Sequence, residues 1–286
     1  MKKILSAAAA VAGAAVILAG ATGCDNTDKI YVDTNAYFAP FEYIDENGGI
    51  AGVDVDIMKL VGEKLGKEVV FTNTEFNVII DNVASGKQFD CGAAGITITP
   101  ERAERVDFST PYYTAVQYVI FKTGELEVSG MSTDGKNVEY VLWSQLQGKK
   151  IGVQTDTTGD ITVDYEMGTD EDDGETTYGA LCDPATGEAF AGTQLTRMSS
   201  APVAISALGT TIDVVVVDEL PAKYLVDKNE GLECYALYYD GATATEEQYA
   251  ICVTKGNKEL LDAINAVLAE LGKSGIDKLV AQHLGV

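Results

Sequence analysis

Histidine is almost absent from this chain, whose 286 residues include only His283. Zinc sites and Ser-His-Asp triads are built largely on imidazole groups, so the sequence has almost nothing from which to make either. Cysteine is also scarce, with five residues and no CxxC pair. We therefore expect no metal ion, no cofactor and no catalytic triad.

Basic residues are outnumbered, with 20 Lys and Arg against 44 Asp and Glu and a formal net charge of −24 at pH 7. Nucleic acids and anionic lipid surfaces attract basic proteins, so this balance argues against either as the partner. After the N-terminal segment no apolar run is long enough to span a bilayer. The composition predicts an exported, soluble protein, which we expect to be a monomer.

The first 24 residues have the pattern of an export signal. Lys2 and Lys3 precede an apolar run from Ile4 to Ala19, and three small residues stand directly before Cys24. This arrangement resembles a bacterial lipobox, which implies cleavage before Cys24 and lipidation of its thiol. Lipoboxes more often carry Leu where Ala21 stands. We predict a lipid anchor on the outer face of the cell membrane, with an ordinary signal peptide beside a chance cysteine as the alternative.

Four further cysteines follow the signal: Cys91, Cys182, Cys234 and Cys252. Export permits disulfides, and four cysteines allow three fully paired connectivities. Cys91 lies in an apolar predicted strand and is expected to be buried. Cys234 and Cys252 flank neighbouring predicted strands and could pair, although the spacing leaves the connectivity open.

Predicted strands and helices alternate along the chain. The first strands are Ile30 to Thr34 and Glu68 to Thr72, and the helices beside them are Asp54 to Leu65 and Asn77 to Ser85. The segment from Lys258 to Leu271 has the strongest amphipathic stripe and is stopped by Gly272. Alternation of this kind favours an α/β fold with a mostly parallel sheet covered on both faces.

The stretch from Gly92 to Tyr113 gives the first indication of a binding site. Its small residues lead to a hydroxyl-bearing turn at Thr97 and Thr99, and Thr99 with Pro100 suits the start of a helix. Arg102 then lies in the first turn, where a cation opposes the helix dipole. Free N–H groups beside an Arg fork form a good receptor for a carboxylate. A surface ion pair of Arg102 is the alternative.

The second half of the chain has two further strand ends with polar groups. Ile151 to Val153 opens a new α/β segment, and its turn carries the hydroxyls of Thr157 and Thr158. The β-branched run from Ile212 to Val217 predicts a buried strand that ends at Asp218. Ligands of open α/β sheets bind at such strand ends. Asp218 as a simple helix cap is the competing interpretation.

The segment between these strands is acidic and rich in Gly and Thr from Asp160 to Arg197. We predict an inserted surface hairpin or loop over about residues 160–200, because runs of like charge usually face solvent. A calcium site of oxygen ligands is the alternative.

The order of these pieces resembles the family 3 solute-binding proteins of bacterial amino-acid ABC transporters. The resemblance covers most of the chain after the signal and fails mainly around residues 125–140 and 160–200. The motifs that carry it are Ala39-Pro40-Phe41-Glu42-Tyr43, Gly52-Val53-Asp54-Val55-Asp56, Gly95-Ile96-Thr97-Ile98-Thr99-Pro100-Glu101-Arg102, Val106-Asp107-Phe108-Ser109, Pro111-Tyr112-Tyr113, Gly148-Lys149-Lys150-Ile151-Gly152-Val153-Gln154 and Val216-Val217-Asp218-Glu219.

This resemblance implies a two-lobed, periplasmic-binding-protein-like α/β fold of type II. Two hinge strands would join the lobes, with the ligand cleft between them. Residues 30–111 and 249–286 would form lobe 1, and residues 116–247 would form lobe 2. The hinges would lie at Tyr112 to Ala115 and near Gln248.

The resemblance also implies roles for residues in the cleft. Arg102 would bind the α-carboxylate of an amino acid together with Gly95 and Thr97, and Asp218 would accept the α-ammonium group. A desolvated zwitterion needs such a fixed cation and anion, because unpaired buried charges are costly. The other implied contacts are a turn of the opposite lobe, two aromatic walls and two polar side chains near the ligand side chain: Thr157, Thr158, Phe38, Phe76, Asn35 and Gln154.

Two positions depart from the family pattern. Asp156 stands where the family usually has Gly, and it either points outward or tunes the pocket toward a cationic group. Asn35 replaces an acidic residue that is common in binders of basic amino acids. We therefore favour a polar amino acid, bound by a non-enzymatic receptor that delivers it to a membrane permease.

The same sequence features are compatible with two other classes of function, an enzyme and a sensor module. The fold also resembles periplasmic cyclohexadienyl dehydratases, whose chemistry needs a general acid in the cleft, and Asp156 is the unexpected candidate for that role. The third class, a sensor module of a signalling receptor, is disfavoured because no transmembrane or kinase segment follows the last helix.

Overall fold

The structure, a computed structural model, describes residues 28–172 and 175–285. The export signal and Cys24 lie outside these residues, as does Asp173 of the acidic segment. Within the described ranges, no helix has both the length and the apolar character needed to cross a membrane.

Residues 29–108 form short strands around three helices. The strands are β1 Lys29–Thr34, β2 Tyr37–Phe38, β3 Glu42–Ile44, β4 Ile50–Ala51, β5 Glu68–Asn73, β6 Cys91–Gly92 and β7 Val106–Phe108. The helices are α1 Val53–Leu65, α2 Ile79–Ser85 and α3 Pro100–Ala103.

The middle of the chain contains most of the strands. They are β8 Tyr113–Lys122, β9 Gly130–Met131, β10 Glu139–Leu142, β11 Lys150–Gln154, β12 Thr169–Asp172, β13 Glu175–Tyr178, β14 Cys182–Asp183, β15 Glu188–Ala189, β16 Gln194–Met198, β17 Val214–Asp218, β18 Leu232–Tyr238 and β19 Glu246–Tyr249. Three helices lie among them: α4 Thr158–Glu166, α5 Ala201–Ala207 and α6 Glu219–Lys228. The chain ends with β20 Cys252–Thr254 and α7 Lys258–Leu284.

The first lobe is built on a five-stranded sheet in the order β5-β1-β6-β20-β7. Strand β1 is parallel to β5 and β6, whereas β20 is antiparallel to β6 and β7. The apolar faces of α1 and α7 bury Ile57, Met58 and Ile264 against this sheet. Its parallel strands place their carboxyl ends at one edge, where Asn35 follows β1.

Glycines end the two amphipathic helices of this lobe where the sequence predicts. Gly66 adopts a left-handed conformation, with φ 66°, directly after α1. Gly272 has φ 54° and ψ −177°, which interrupts α7 and separates a final helical segment. Such conformations are accessible to Gly without a Cβ clash, so the predicted stop signals are confirmed.

The second lobe is built on a mixed sheet in the order β16-β11-β17-β8-β18-β10-β9, with β19 paired to β8. Strand β11 is parallel to β16 and β17, and β8 runs antiparallel to β17 and β18. The valines of β17 are buried, as their unbroken β-branching predicts.

Two antiparallel strands carry the chain between the lobes. Strand β8 enters the second sheet, and β19 returns toward β20 of the first. The two pair from Glu246 opposite Val116 to Tyr249 opposite Tyr113. Both crossings therefore run side by side.

The acidic segment is not one surface loop, so that prediction needs correction at its two ends. Helix α4 buries Val163 in the core of the second lobe, and β16 pairs with β11 as an edge strand of the main sheet. Asp160 is buried because Arg197 pairs with it, at 2.8 Å between Nε and Oδ1. The acidic composition of the segment predicted a solvent-exposed loop and gave no local indication of α4 or β16. Two small hairpins, β12–β13 and β14–β15, lie between these elements, and β13 is exposed along its whole length.

All four described cysteines are free. Cys234 lies on β18 of the second lobe and Cys252 on β20 of the first, so the suggested pair is wrong. Strand β19 lies between them in the chain and returns it to the first lobe, so β18 and β20 belong to different sheets. Cys91 is fully buried, which confirms the prediction for that residue.

Candidate ligand-binding cleft

A small cavity, with room for about 20 Å³ of water-sized probes, lies between the two lobes. Every predicted site residue except Arg102 borders it, together with Glu42 and Ala94, which the sequence analysis did not assign to the site. The lining residues are Asn35, Phe38, Glu42, Phe76, Ala94, Gly95, Thr97, Gln154, Thr157, Thr158 and Asp218.

Arg102 lies at one end of the cleft and is buried. Thr99 caps α3 by accepting a hydrogen bond from the Arg102 backbone N–H at 3.2 Å, as predicted. The guanidinium donates to the backbone carbonyl of Thr97 at 2.9 Å and, across the cleft, to that of Asp156 at 2.6 Å. Its carbon lies 5.5 Å from the ring centre of Phe76.

No carboxylate pairs with Arg102 among the residues that the structure describes, so the predicted alternative of a surface ion pair is wrong. Burial lowers the pKa of the guanidinium, although nearby acids, Glu247 first, oppose that shift. Two neutral carbonyl groups hold a cation in place without neutralising it. That arrangement suits recognition of an anion.

Gly95 is required where the loop passes the aromatic wall. Its φ is 55°, and a Cβ there would lie 2.7 Å from the ring of Phe38. Its N–H donates to the carboxylate of Asp54 at 3.0 Å. A backbone contact from Gly95 to a ligand would therefore come from its carbonyl oxygen.

Hydroxyl and amide groups join the two lobes across the cleft. Thr158 Oγ1 donates to Thr97 Oγ1 at 2.7 Å, and Gln154 Nε2 donates to Asn35 Oδ1 at 2.9 Å. Thr157 caps α4, because its hydroxyl accepts a bond from the N–H of Asp160 at 3.3 Å. These cross-lobe bonds describe a closed arrangement of the lobes.

Asp218 does not act as a helix cap, so the competing interpretation of this residue is wrong. Its carboxylate makes no capping bond to α6 and instead accepts hydrogen bonds from Gln117 Nε2 and, at 2.6 Å, from the hydroxyl of Tyr249. Gln117 also donates to Glu247 at 2.5 Å. Burial, reinforced by the neighbouring Glu247 carboxylate, raises the pKa of Asp218 well above its usual range.

Glu42 and Asp54 complete an acidic end of the cleft that the sequence analysis did not identify. Glu42 is fully buried, and the β2–β3 pairing places it opposite Phe38. Asp54 accepts bonds from the Gly95 N–H and, at 2.5 Å, from the Tyr112 hydroxyl. Burial raises the pKa of Asp54 to about 6. Both acids belong to motifs of the resembling family, and the apolar residues beside them in the sequence indicate that the two positions are buried.

Asp156 points away from the cavity. It is exposed, adopts φ 61°, and borders an outer groove with Arg102 and Arg105. Only its carbonyl serves the site, through the bond from Arg102. The suggestion that its carboxylate tunes the pocket is therefore wrong, and the general acid named for dehydratase chemistry lies outside the cavity.

The described residues contain no group of three His, Cys, Asp or Glu side chains placed to hold a metal ion. The alternative of a calcium site in the acidic segment gains no support from its described part.

The chain belongs to the bacterial extracellular solute-binding proteins, family 3, because the sequence model of that family matches residues 30–286. This match confirms the resemblance inferred from the motifs. A probable histidine-binding protein of Neisseria gonorrhoeae is 29% identical over 294 residues, which cover 99% of this chain and 96% of that protein.

Solved structures confirm the two-lobed fold class. The crystal structure of AbpA, an amino acid ABC transporter substrate-binding protein of Streptococcus pneumoniae bound to L-arginine, has a TM-score of 0.71 and 27% identity, covering 90% of this chain and 95% of that one. An ancestral arginine-binding protein bound to arginine has a TM-score of 0.70 and 32% identity, covering 90% and 99% respectively.

Proposed function

We propose that this protein is the extracytoplasmic substrate-binding component of an amino-acid ABC transporter. It binds a free amino acid between its lobes and delivers it to a membrane permease without performing chemistry. Its family and the names of its relatives, which are binding proteins, support this function.

The observation that carries the proposal is that one lobe offers the cleft a guanidinium group and the other lobe offers it a carboxyl group. Arg102 has spare guanidinium donors and no acid partner among the described residues, while Asp218 borders the cavity from the other lobe. A free amino acid presents a carboxylate to the guanidinium and an ammonium group to the carboxylate. Each buried charge then gains a partner.

Binding is coupled to lobe closure in this proposal. Arg102 belongs to the first lobe and Asp218 to the second, so a zwitterion bridges both and stabilises the closed form over the open one. The bonds Thr158–Thr97 and Gln154–Asn35 form only when the lobes meet. The strands β8 and β19, which cross between lobes, are the proposed hinges.

The remaining predicted contacts keep their proposed roles. Phe38 and Phe76 border the cavity as aromatic walls, and Asn35 with Gln154 lies where the ligand side chain would extend. Residues 30–111 with 249–286 and residues 116–247 are the proposed lobes. Thr157 positions the α4 turn next to the ligand carboxylate.

We further propose that lipidation of Cys24 tethers the protein to the outer face of the membrane as a monomer. The small residues before Cys24 support cleavage at that point. Wild-type protein should partition into detergent and a Cys24→Ala variant into buffer. Equal partitioning of both would refute the anchor without affecting ligand binding.

Calorimetry of the protein against the twenty amino acids and cystine tests the function. At least one should bind tightly and raise the melting temperature, because a ligand that binds only the folded state stabilises it. Prephenate and arogenate should be recovered unchanged. A panel without any binder, or turnover of either cyclohexadienyl acid, would overturn the proposal.

A further inference from the structure

The last helical segment of α7 reaches the small β2–β3 hairpin that forms one wall of the cleft. His283, the only histidine of the chain, lies at the end of this segment, and its side chain is only 8% exposed. Both ring nitrogens have partners. Nε2 lies 2.9 Å from Oδ2 of Asp56, and Nδ1 lies 3.0 Å from the hydroxyl oxygen of Tyr43. The imidazole therefore joins the end of α7 to both α1 and β3.

The chemistry of the two partners fixes the direction of the bonds. A carboxylate only accepts hydrogen bonds, so Nε2 carries a proton and donates to Asp56. In the neutral imidazole Nδ1 is then the acceptor, and the Tyr43 hydroxyl donates to it. The Tyr43 ring also meets the imidazole edge-on, with the ring centres 5.8 Å apart. His283 is thus held by α1 on one side and holds Tyr43 on the other.

Tyr43 belongs to a strand that forms a wall of the cavity, but its side chain faces away from the cavity. It follows Glu42, which borders the cavity and lies opposite Phe38 of β2. Successive side chains of a strand point to opposite faces, and Tyr43 accordingly borders an outer groove beside Tyr224. His283 therefore acts on the hairpin from the side that a ligand does not touch.

The hairpin has little support of its own. Strands β2 and β3 contain two and three residues, and with β4 they form a small sheet of their own. Sheets of such short strands are marginally stable alone. Backbone bonds from the first residues of α1 to the carbonyls of Pro40 and Phe41 fix the turn. The rest of the hairpin depends on side-chain contacts, among them that of Tyr43 with His283.

The final segment of α7 has an anchor that does not involve His283. Ile276 is buried, and Leu279 and Val280 pack against the core of the first lobe. These contacts fix the segment, so the two bonds of the imidazole can hold a less constrained partner. The hairpin is that partner.

Phe38 makes the position of the hairpin important for the cleft. Its ring packs against the buried cores of both lobes and borders the cavity. A gap of about 0.5–1 Å already forfeits a substantial part of such packing contacts. A shift of the hairpin would therefore disturb the aromatic wall and the contact between the lobes together.

We propose that His283 is a positioning residue of the ligand cleft. Through Tyr43 it fixes the hairpin, and with it Phe38, where the closed cleft packs around an amino acid. The closed form depends on this position more than the open form, because Phe38 contacts both lobes only when they meet. This inference rests on the proposed function and adds a residue that acts on the site from outside.

Tyr43→Phe is the most direct test, because it removes only the hydroxyl that His283 holds. The probe is the amino acid, from a panel of the twenty and cystine, that binds the wild-type protein most tightly in calorimetry. Tyr43→Phe should bind this probe about three- to tenfold more weakly, within the range that one hydrogen bond supplies. Tyr37→Phe removes an exposed ring hydroxyl from the same hairpin and should leave the affinity unchanged.

Two variants of His283 separate positioning from general packing. His283→Ala removes both bonds and should lose as much affinity as Tyr43→Phe. The side-chain amide of Asn reaches the place of Nδ1, so His283→Asn can keep the bond to Tyr43 and should stay within about twofold of wild type. The double variant Tyr43→Phe/His283→Ala should bind no more weakly than either single variant, because both changes break the same bond.

Melting curves of the ligand-free variants first establish a temperature at which all of them are folded, and the affinities are measured there. An affinity of Tyr43→Phe within about twofold of wild type would overturn the inference and leave His283 as a structural contact of α7. Losses that add in the double variant would also overturn it, because His283 would then act on the cleft by another route. If His283→Ala does not fold, Tyr43→Phe and His283→Asn still decide the question. If no amino acid of the panel binds wild type, the proposed function itself fails, and this inference fails with it.

Discussion

The two ends of the cleft hold charge in opposite ways. At one end a single guanidinium, Arg102, is fixed by the carbonyls of Thr97 and Asp156. At the other end three carboxyl groups gather: Asp54 and Asp218 accept from hydroxyl, amide and backbone N–H groups, and Glu42 shares a hydrogen bond with Asp54. A fourth acid, Glu247, links the two ends, because it accepts from both Thr97 and Gln117.

Because of this difference, the charges at the two ends are neutralised in different ways. Carbonyl dipoles orient Arg102 but leave its charge in place, so that end depends on the ligand for neutralisation. The acidic end can neutralise itself with protons, because burial raises the pKa values of Glu42, Asp54 and Asp218. The cationic end should thus respond to mutation and the acidic end to pH.

Removal of the cation should have the largest effect. Arg102→Ala is expected to weaken binding of the amino-acid ligand by about 2–5 kcal/mol, because the ligand carboxylate is then buried without its partner. Calorimetry with the best ligand of the screen measures the loss.

Arg105→Ala is the matched control for that experiment. Arg105 lies three residues further on, is exposed, and pairs with Asp81 outside the cavity. Its removal should leave the affinity nearly unchanged. A loss below about tenfold, or ~1.4 kcal/mol, for Arg102→Ala would contradict its assignment to the ligand carboxylate.

Acidification should stabilise the ligand-free protein, because the buried acids at the acidic end of the cleft then bind protons. The pKa of Asp54 rises from 3.8 to about 6 on folding, so the folded state binds more protons than the unfolded state between these values. Its contribution is present below about pH 4 and is lost as the pH rises through 6. Glu42 and Asp218 shift in the same direction and extend the loss to higher pH.

Urea denaturation at pH 5 and pH 8 measures this response. The free energy of unfolding should be at least about 1.4 kcal/mol higher at pH 5, the value of one pKa unit for Asp54 alone. Glu42→Gln should reduce the difference, whereas Glu46→Gln should not. Greater stability at pH 8 would mean that the acids of the cleft are not buried as described.

Much of the architecture could be predicted because local signals agree with the tertiary structure. The stripe of α1 ends at Gly66, that of α7 is interrupted at Gly272, and the valines of β17 mark a central strand. The predicted site residues come together because they follow strand ends, where open α/β sheets place ligands.

The acidic end could not be assigned in the same way, because its burial depends on distant pairing. Glu246 and Glu247 are neighbours, yet only Glu247 is buried, since β19 pairs with β8 and turns alternate side chains inward. Glu42 is buried by the small β2–β3 hairpin. Charged residues in short strands give little local indication of such a position. For the same reason, the sequence did not predict α4 and β16 within the acidic segment.

The smallest effect should come from Asp156, which serves the cationic end through its backbone alone. Its φ of 61° is costly for most side chains but tolerated by Asp, and Gly adopts it freely. Asp156→Gly relieves that cost but gains entropy in the unfolded chain, so the free energy of unfolding should change by less than about 1 kcal/mol. Affinity should stay within about twofold, because the carbonyl that holds Arg102 remains. Asp156→Val should instead lose about 1–2 kcal/mol of stability, since a β-branched residue resists this conformation. If calorimetry shows that Asp156→Gly weakens ligand binding more than tenfold, then the carboxylate of Asp156, and not its carbonyl, supports the cationic end.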